Sequence, residues 1–412
     1  MTSREDCLAM DAADPIASSR DAFILPEGVI FLDGNSLGPV TKASAARLQK
    51  VVQEEWAKGL IRSWNDAGWI NLHGSIGDRI AKLIGADDGE VVVGDSTSIN
   101  VFKQVAAAIK MRPGRKVIVS EEGNFPTDLY MVQGLIDLLD DGYELRLVPE
   151  GGDIKAAIDD DTAAVLITHV DFKVGKQHDM ADLTKTTHDK GAIMIWDLCH
   201  STGALPVDLN GADVDLAVGC TYKYLNGGPG APAFCFVAKR LQGKARQPLY
   251  GWHGHANPFD FDINYVPAEG ISQYLSGSQV VLALSSLDSA LDVWDDVTMD
   301  QVRAKSLDLT DLFMDLVESR CEGMGFDTIT PRDRIVRGSQ VSFLHKNAFP
   351  IMQALISKGV IGDYREPNIV RFGFTPLYTT FADVWDAVEI LRDIMSNDTW
   401  KEDRFNVRGA VT

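Results

Sequence analysis

The chain has 412 residues, of which 45% are hydrophobic and 24% charged, and carries a formal net charge of −20 at pH 7. Such a composition belongs to a folded globular protein with room for a large domain and a smaller one, and the negative balance argues against nucleic acid or an anionic membrane as partner. No run approaches the ~18 apolar residues of a membrane span, and the five cysteines, scattered and never spaced as CxxC, point to a reduced, cytoplasmic compartment and away from zinc.

The N-terminal stretch "MTSREDCLAMDAADP" has charges and no apolar h-region, so it reads as a loop or short helix and not as a secretory signal. "VIFLDGNSLGP" follows as a brief strand and a Gly/Asn turn, and "KASAARLQKVVQEEWAKGL" has the apolar spacing of one helix. From Glu90 onward strands and helices alternate. "EVVVGD", "KVIVSEE", "YELRLVP", "TAAVLITHV" and "AIMIWDLCH" read as strands, separated by the helical runs "SINVFKQVAAAIKM", "TDLYMVQGLIDLL", "GDIKAAI" and "MADLTKTTHDKG". "VDLAVGC" and "APAFCFVA" complete seven strands; the last follows the turn "GGPGAP" and no helix, so it is expected to pair antiparallel. The strands have little internal polarity, as strands covered on both faces do, and the alternation implies an α/β fold with a mostly parallel sheet. Beyond about residue 285 the pattern changes to a small α+β domain. It comprises the helix "DLTDLFMDLVESRCEGMG", the strand "QVSFLHK", the helix "FPIMQALISKG", the strand "IVRFGF" and the helix "FADVWDAVEILRDIM".

Ligands of parallel α/β sheets gather beyond the carboxyl ends of the strands. Asp197 closes "AIMIWD", Lys223 lies just past "VDLAVGC", Ser96, Thr97 and Ser98 follow "EVVVGD", and the "NFPTD" loop follows "KVIVSEE". Hydroxyls on the first turn of a helix, with its free N–H groups, form a cup for an anion. A carboxylate at the end of an apolar strand is costly unless it meets a cation. A lysine at such a place, followed by Gly227, Gly228 and Gly230, suits a carbonyl cofactor that the backbone can approach closely. Each feature alone has a plainer reading: an N-cap, a turn aspartate, a satisfied turn histidine at His200. Together they describe a site for pyridoxal phosphate, with Asp197 toward the ring nitrogen and Lys223 on the aldehyde. His253 and His255 in "GWHGH" lack acidic partners, and no metal site is expected.

With these residues in place, the sequence resembles the fold-type I pyridoxal-phosphate enzymes and, within them, is similar to the kynureninase family. The likeness runs from "FLDGNSLGP" to "VRFGFTPLY" and is most specific at "NFPTDLY", "WDLCHSTGALPVDLNGADVDLAVGCTYKYLNGGPGAPAF" and "GWHGH". It implies the fold-type I architecture, with an N-terminal segment (1–50) packing on the small domain, a large cofactor-binding domain (51–290) and a small C-terminal domain (291–412). It also implies cleavage of L-kynurenine to anthranilate and L-alanine, in tryptophan breakdown or pyridine-nucleotide synthesis, by homodimers with shared active sites.

Carried over by position, Lys223 is the Schiff-base lysine, Tyr222 contacts phosphate and acts as acid/base, Asp197 pairs with the ring nitrogen, and His200 supports that end of the cofactor. Phe125 stacks on the ring within the turn that includes Pro126 and Thr127; Asp128 and Thr168 bond near the ring hydroxyl; Thr97 and Ser98 hold phosphate, with Trp252 and Ser278 reaching in from the partner subunit. Arg371 clamps the substrate α-carboxylate, and Asn35, Ser36 and Trp64 complete the substrate site. Members that prefer 3-hydroxykynurenine carry His and Asn where this chain has Trp64 and Ser278, which implies a preference for plain L-kynurenine. The rival reading is a cysteine desulfurase or selenocysteine lyase, which requires a mobile loop cysteine; Cys321 is predicted at a helix end instead.

Overall fold

The computed structural model describes residues 2–408. The chain starts with α1 (Arg4–Ala13), then β1 (Ile30–Phe31), α2 (Lys42–Lys50), α3 (Ser63–Asp66) and α4 (Leu72–Leu83). The single helix expected over residues 42–60 is instead α2 followed by a wider π-helical coil over Val51–Gly59. On that coil Glu55 pairs with Arg47 and accepts from the Trp69 indole at 2.8 Å, contacts that a propensity argument does not foresee. Neither α3 nor α4 was predicted.

The central sheet is formed by β2 (Val91–Val93), β3 (Val117–Glu121), β4 (Glu144–Val148), β5 (Thr162–Thr168), β6 (Ile193–Asp197), β7 (Leu216–Gly219) and β8 (Phe234–Val237), in the spatial order β2-β8-β7-β6-β5-β3-β4. Strands β4, β3, β5, β6 and β7 run parallel, and β8 is antiparallel to both β7 and β2, as the missing crossover helix implied. Alternate side chains enter two separate cores. Val119, Val165, Met194, Trp196 and Phe236 face one layer, while Ile118, Leu166, Ile195, Val218 and Cys235 face the other. Burial on both faces is why these runs lack a polar alternation; the edge strand β4 is the one left partly exposed. The crossovers α5 (Thr97–Met111), α6 (Pro126–Leu139) and α7 (Met180–Asp189) begin beyond strand carboxyl ends, which directs their N-termini to one rim of the sheet.

Helix α8 (Val281–Ala290), also unpredicted, lies against α2, where Ser44 donates to the Ser286 carbonyl at 2.8 Å. The small domain follows with α9 (Met299–Arg320), β9 (Asp327–Thr328), β10 (Gln340–Leu344), α10 (Ala348–Ser357), β11 (Val360–Ile361), β12 (Asp363–Arg365), β13 (Ile369–Gly373) and α11 (Phe381–Ser396). Its antiparallel sheet, β12-β13-β10-β9, packs on helices around Phe313, Phe343, Phe372 and Phe374. Helix α9 starts earlier than apolar spacing indicated, at a reciprocal cap between Thr298 and Gln301. The N-terminal segment joins this domain: β1 pairs parallel with β11, Cys7 and Leu32 enter its core, and the Asp11 carboxylate accepts from the first N–H groups of α11 at 2.7 and 3.0 Å. No helix of the described residues is long and apolar enough to cross a membrane.

Candidate active site

Asp197 is the last residue of β6 and lies in register with Thr168 at the end of β5. Both are buried; one Asp197 oxygen accepts from the Cys199 N–H at 2.8 Å, and the Thr168 hydroxyl donates to the Val170 carbonyl at 3.2 Å. The next strand, β7, leads within a few residues to Tyr222 and Lys223. The Lys223 amine lies 3.0 Å from His200 Nε2, while His200 Nδ1 is 3.1 Å from Gln340 Oε1. Burial and the nearby Lys223 charge hold the His200 imidazole well below its ordinary range, so it is neutral.

Two helix starts face this rim. Ser96 caps α5, its hydroxyl accepting from Ile99 N–H at 3.4 Å, and Thr97 and Ser98 form the first turn. Phe125 precedes α6, which opens on Pro126, a residue suited to a position whose N–H has no helical partner. Asp128, one turn in, is buried; burial and then the neighbouring Asp197 carboxylate push its carboxyl well above the usual range, so it keeps its proton. Its Oδ2 meets no hydrogen-bond partner among the described residues. Burial likewise raises the Tyr222 phenol far above its ordinary value.

One cleft is lined by Thr97, Ser98, Phe125, Thr127, Asp128, Thr168, Asp197, His200, Tyr222 and Lys223. These are residues singled out from the sequence; two more, Phe172 and Cys199, were not. The Phe172 ring meets Phe125 edge-on at 5.1 Å between centroids. Pro126, the first residue of α6, does not line the cleft. Ser278 lines an adjoining cleft with Ser96, Thr97 and Tyr222 of its own chain. Trp252 lines a separate surface cleft with Tyr250, Phe261 and Ile263. Trp64 packs against Trp69 and His253 and lines none of these clefts. His255 is engaged by the Asn257 N–H and the Asn264 carbonyl, and no group of three or more His, Cys, Asp or Glu side chains among the described residues is disposed to hold a metal.

Arg371 is buried on β13, and its fork is taken: Nε donates to Asp363 Oδ1 at 2.7 Å, and Nη2 to Asp363 Oδ2 and, at 3.0 Å, to the Ser36 hydroxyl. Its Nη1 donates to the carbonyl of Phe172, a residue of the cleft wall. Burial opposes the Asp363 charge, but Arg371 and Arg365 outweigh it and hold that carboxyl below its usual value. The Asn35 amide lies 3.4 Å from Gln340 Oε1. Gln340 and Asp363 carry no motif; only their long-range partners reveal them. Cys321, the cysteine that the rival reading needed on a mobile loop, is buried at the end of α9, where burial pushes its thiol up to about 12.

Residues 302–391 match the model of the kynureninase C-terminal domain, and residues 77–211 that of the DegT/DnrJ/EryC1/StrS aminotransferase family. The chain is 55% identical to a kynureninase of Burkholderia pseudomallei (strain 1106a) and 54% identical to one of Pseudomonas fluorescens, each over the full length of both chains. Among solved structures it resembles the cysteine desulfurase CsdA of Escherichia coli, with a TM-score of 0.76 at 18% identity over 92% of this chain and 98% of that one. It also resembles the cystine C-S lyase C-DES, with a TM-score of 0.77 at 14% identity over 89% and 98%. At these identities the structural likeness carries the fold alone.

Proposed function

The chain belongs to the kynureninase family, and from that premise we propose its reaction: hydrolysis of the Cβ–Cγ bond of L-kynurenine to anthranilate and L-alanine, with pyridoxal 5'-phosphate as cofactor, in tryptophan breakdown or pyridine-nucleotide synthesis. The observation that carries this reading is a single cleft in which Lys223, Asp197 and the first turn of α5 meet.

The residues fit the cofactor's chemistry. An amine faces the cleft for its aldehyde, a buried carboxylate for its ring nitrogen, a helix N-terminus with two hydroxyls for its phosphate, and the half-exposed Phe125 ring for its face. The orphaned Asp128 Oδ2 supplies a further polar contact. Thr97, Ser98, Phe125, Asp128, Thr168, Asp197, His200, Tyr222 and Lys223 would hold it. Bound there, pyridoxal phosphate supplies an electron sink for charge developing on the substrate carbon chain.

Lys223 takes the proton from the substrate α-carbon, with His200 beside its amine. Asp197 lies at the opposite end of the site, while Asp128, kept protonated by burial and by the neighbouring Asp197, adds no charge of its own beside it. Tyr222, whose phenol burial keeps protonated, is the donor for the β-carbon once anthranilate has left. Of the five N–H groups of Arg371, four are held by Asp363, Ser36 and the Phe172 carbonyl, and the remaining Nη1 hydrogen is the one we assign to the substrate carboxylate, with Ser36 and Asn35 on the approaching loop. The preference for L-kynurenine over its 3-hydroxylated form rests on Trp64 and Ser278 by position in the family, since Ser278 lines the adjoining cleft and Trp64 lies outside the Lys223 cleft of its own chain.

Exposed Phe259, Phe261 and Ile263 near Trp252 support a homodimer in which this surface completes the partner's site. Five free, buried cysteines support a reducing, cytoplasmic setting. The burial of Cys321 disfavours cysteine desulfuration.

Adding L-kynurenine to the full chain loaded with pyridoxal phosphate should yield anthranilate fluorescence and an equal amount of L-alanine. A cofactor-loaded protein that forms neither overturns the reading. A higher kcat/KM for 3-hydroxykynurenine, measured in parallel, would reject the assignment of Trp64 and Ser278.

A further inference from the structure

Gln340 is fully buried on β10, in the small domain, yet its side chain reaches the large-domain residue His200. Its amide orientation is set by neighbours that can only accept. Nε2 lies 2.9 Å from the Phe172 carbonyl and 3.3 Å from the Asp171 carbonyl, so the NH2 group must occupy that end. Oε1 therefore faces His200 Nδ1 and the Asn35 amide. The stem is held by the Gly175 turn, where φ is +74° and a Cβ would come within 2.8 Å of Gln340 Cγ.

An oxygen that only accepts requires a proton on the nitrogen facing it. Since the buried imidazole is neutral, its other nitrogen, Nε2, has a bare lone pair, and Lys223 Nζ lies 3.0 Å from that atom. We propose that Gln340 is a positioning residue that fixes His200 with its proton on Nδ1, leaving Nε2 as the acceptor beside Lys223. This deepens the reading of Lys223 as the catalytic amine. The base of the large domain is thereby set by a side chain of the small domain. The Phe172 carbonyl to which Gln340 donates is the one that also receives Arg371 Nη1, so the carboxylate clamp and the proton acceptor share one anchor.

The test is the histidine tautomer, read by 15N chemical shifts of the ring-labelled full chain with and without pyridoxal phosphate, His200 being assigned by comparison with His200→Gln. The parent is expected to show a protonated Nδ1 and a bare Nε2 in both states. Gln340→Met, similar in volume but without an acceptor, should lose this pattern, whereas Gln340→Glu, which keeps an oxygen toward Nδ1, should retain it. In the cofactor-free chain at neutral pH, Lys223 of the Met variant should be trapped by a small aldehyde and a reductant about tenfold faster, because its ammonium form has lost a hydrogen-bond acceptor. A parent with the proton on Nε2, or a Met variant with the parental tautomer and trapping rate, overturns the proposal. The parent spectrum decides even if the Met variant does not fold. Kynurenine turnover of the same samples is read separately, so an inactive parent with the expected tautomer rejects the functional reading and leaves this one standing.

Discussion

Buried charge around Arg371 is arranged so that one carboxyl is under-compensated. Asp363 has both arginines, Arg365 and Arg371, whereas Asp33 is partly buried beside Asp363, its Oδ1 shut from solvent and lacking a partner among the described residues. Burial and then repulsion from Asp363 push Asp33 up to about 7, against the opposing pull of Ser36, Arg371 and Arg365. Between the unfolded value of about 3.9 and that raised value, the folded chain holds a proton that the unfolded chain has released. This contribution therefore makes stability fall as pH rises through the window, at a total cost of roughly 2–4 kcal/mol. Asp33→Asn should flatten this dependence and raise the urea midpoint at pH 8 more than at pH 5. Parallel pH profiles of parent and variant would show that Asp33 ionises normally. Asp197 and Lys223 were legible in the sequence because a charge ending an apolar run demands a partner. Gln340 and Asp363 were not, since Gln340 acts on a residue 140 positions away and each looks locally like an ordinary polar strand residue.

At the scale of elements, the seven central strands and the crossovers α5, α6 and α7 could be read because two-sided burial leaves a continuous apolar signature, whereas the helix expected at "GDIKAAI" is only a 3₁₀ turn over Lys155–Ala157. Helices α4 and α8 escaped because their apolar stripes lie among small and polar residues in "LHGSIGDRIAKL" and "VLALSSLDSA". The loop from Asp33 to Gly38 is short, but it ties both domains together. Asp33 bridges to Gly373 of β13, and the Gly38 N–H donates to the Tyr222 carbonyl at 2.8 Å. A Cβ on Gly38 would sit 2.3 Å from the Lys223 carbonyl and 2.9 Å from the Asn226 Cα, both main-chain atoms with little freedom to move. Gly38→Ala is therefore expected to push this loop off the lysine turn, at a strain of about 1–3 kcal/mol. It should lower kcat/KM for kynurenine by about tenfold or more, since it moves the turn that carries the amine. An alanine variant with parental kcat/KM and thermal midpoint would mean that the loop is free to slide. Such close backbone approach has no local sequence signal beyond the glycine itself.

For the whole molecule, the main question is whether one chain contains a complete site. Phe261 and Ile263 are 77% and 97% exposed, in a loop that also presents Phe259 and Tyr250, and Trp252 belongs to this surface and not to the Lys223 cleft. A net charge of −20 works against self-association, so an apolar patch of this kind is where two copies can meet at the lowest electrostatic cost. If Trp252 serves the partner's site, inactive chains should complement each other. A Lys223→Ala chain supplies an intact Trp252, and a Trp252→Ala chain supplies an intact Lys223. In each mixed dimer one site then has both residues and the other has neither. Random reassortment of equal amounts makes half the dimers mixed, each with one good site, so about a quarter of parental activity should return. If Trp252 acts on the Lys223 of its own chain, no site in the mixture has both, and activity stays at the level of the separate variants. Ile263→Asp should abolish the recovery by keeping the chains apart, and light scattering on the same samples would report the monomer. Recovery that persists in monomers, or a mixture with no recovery despite proven exchange, would exclude a shared site.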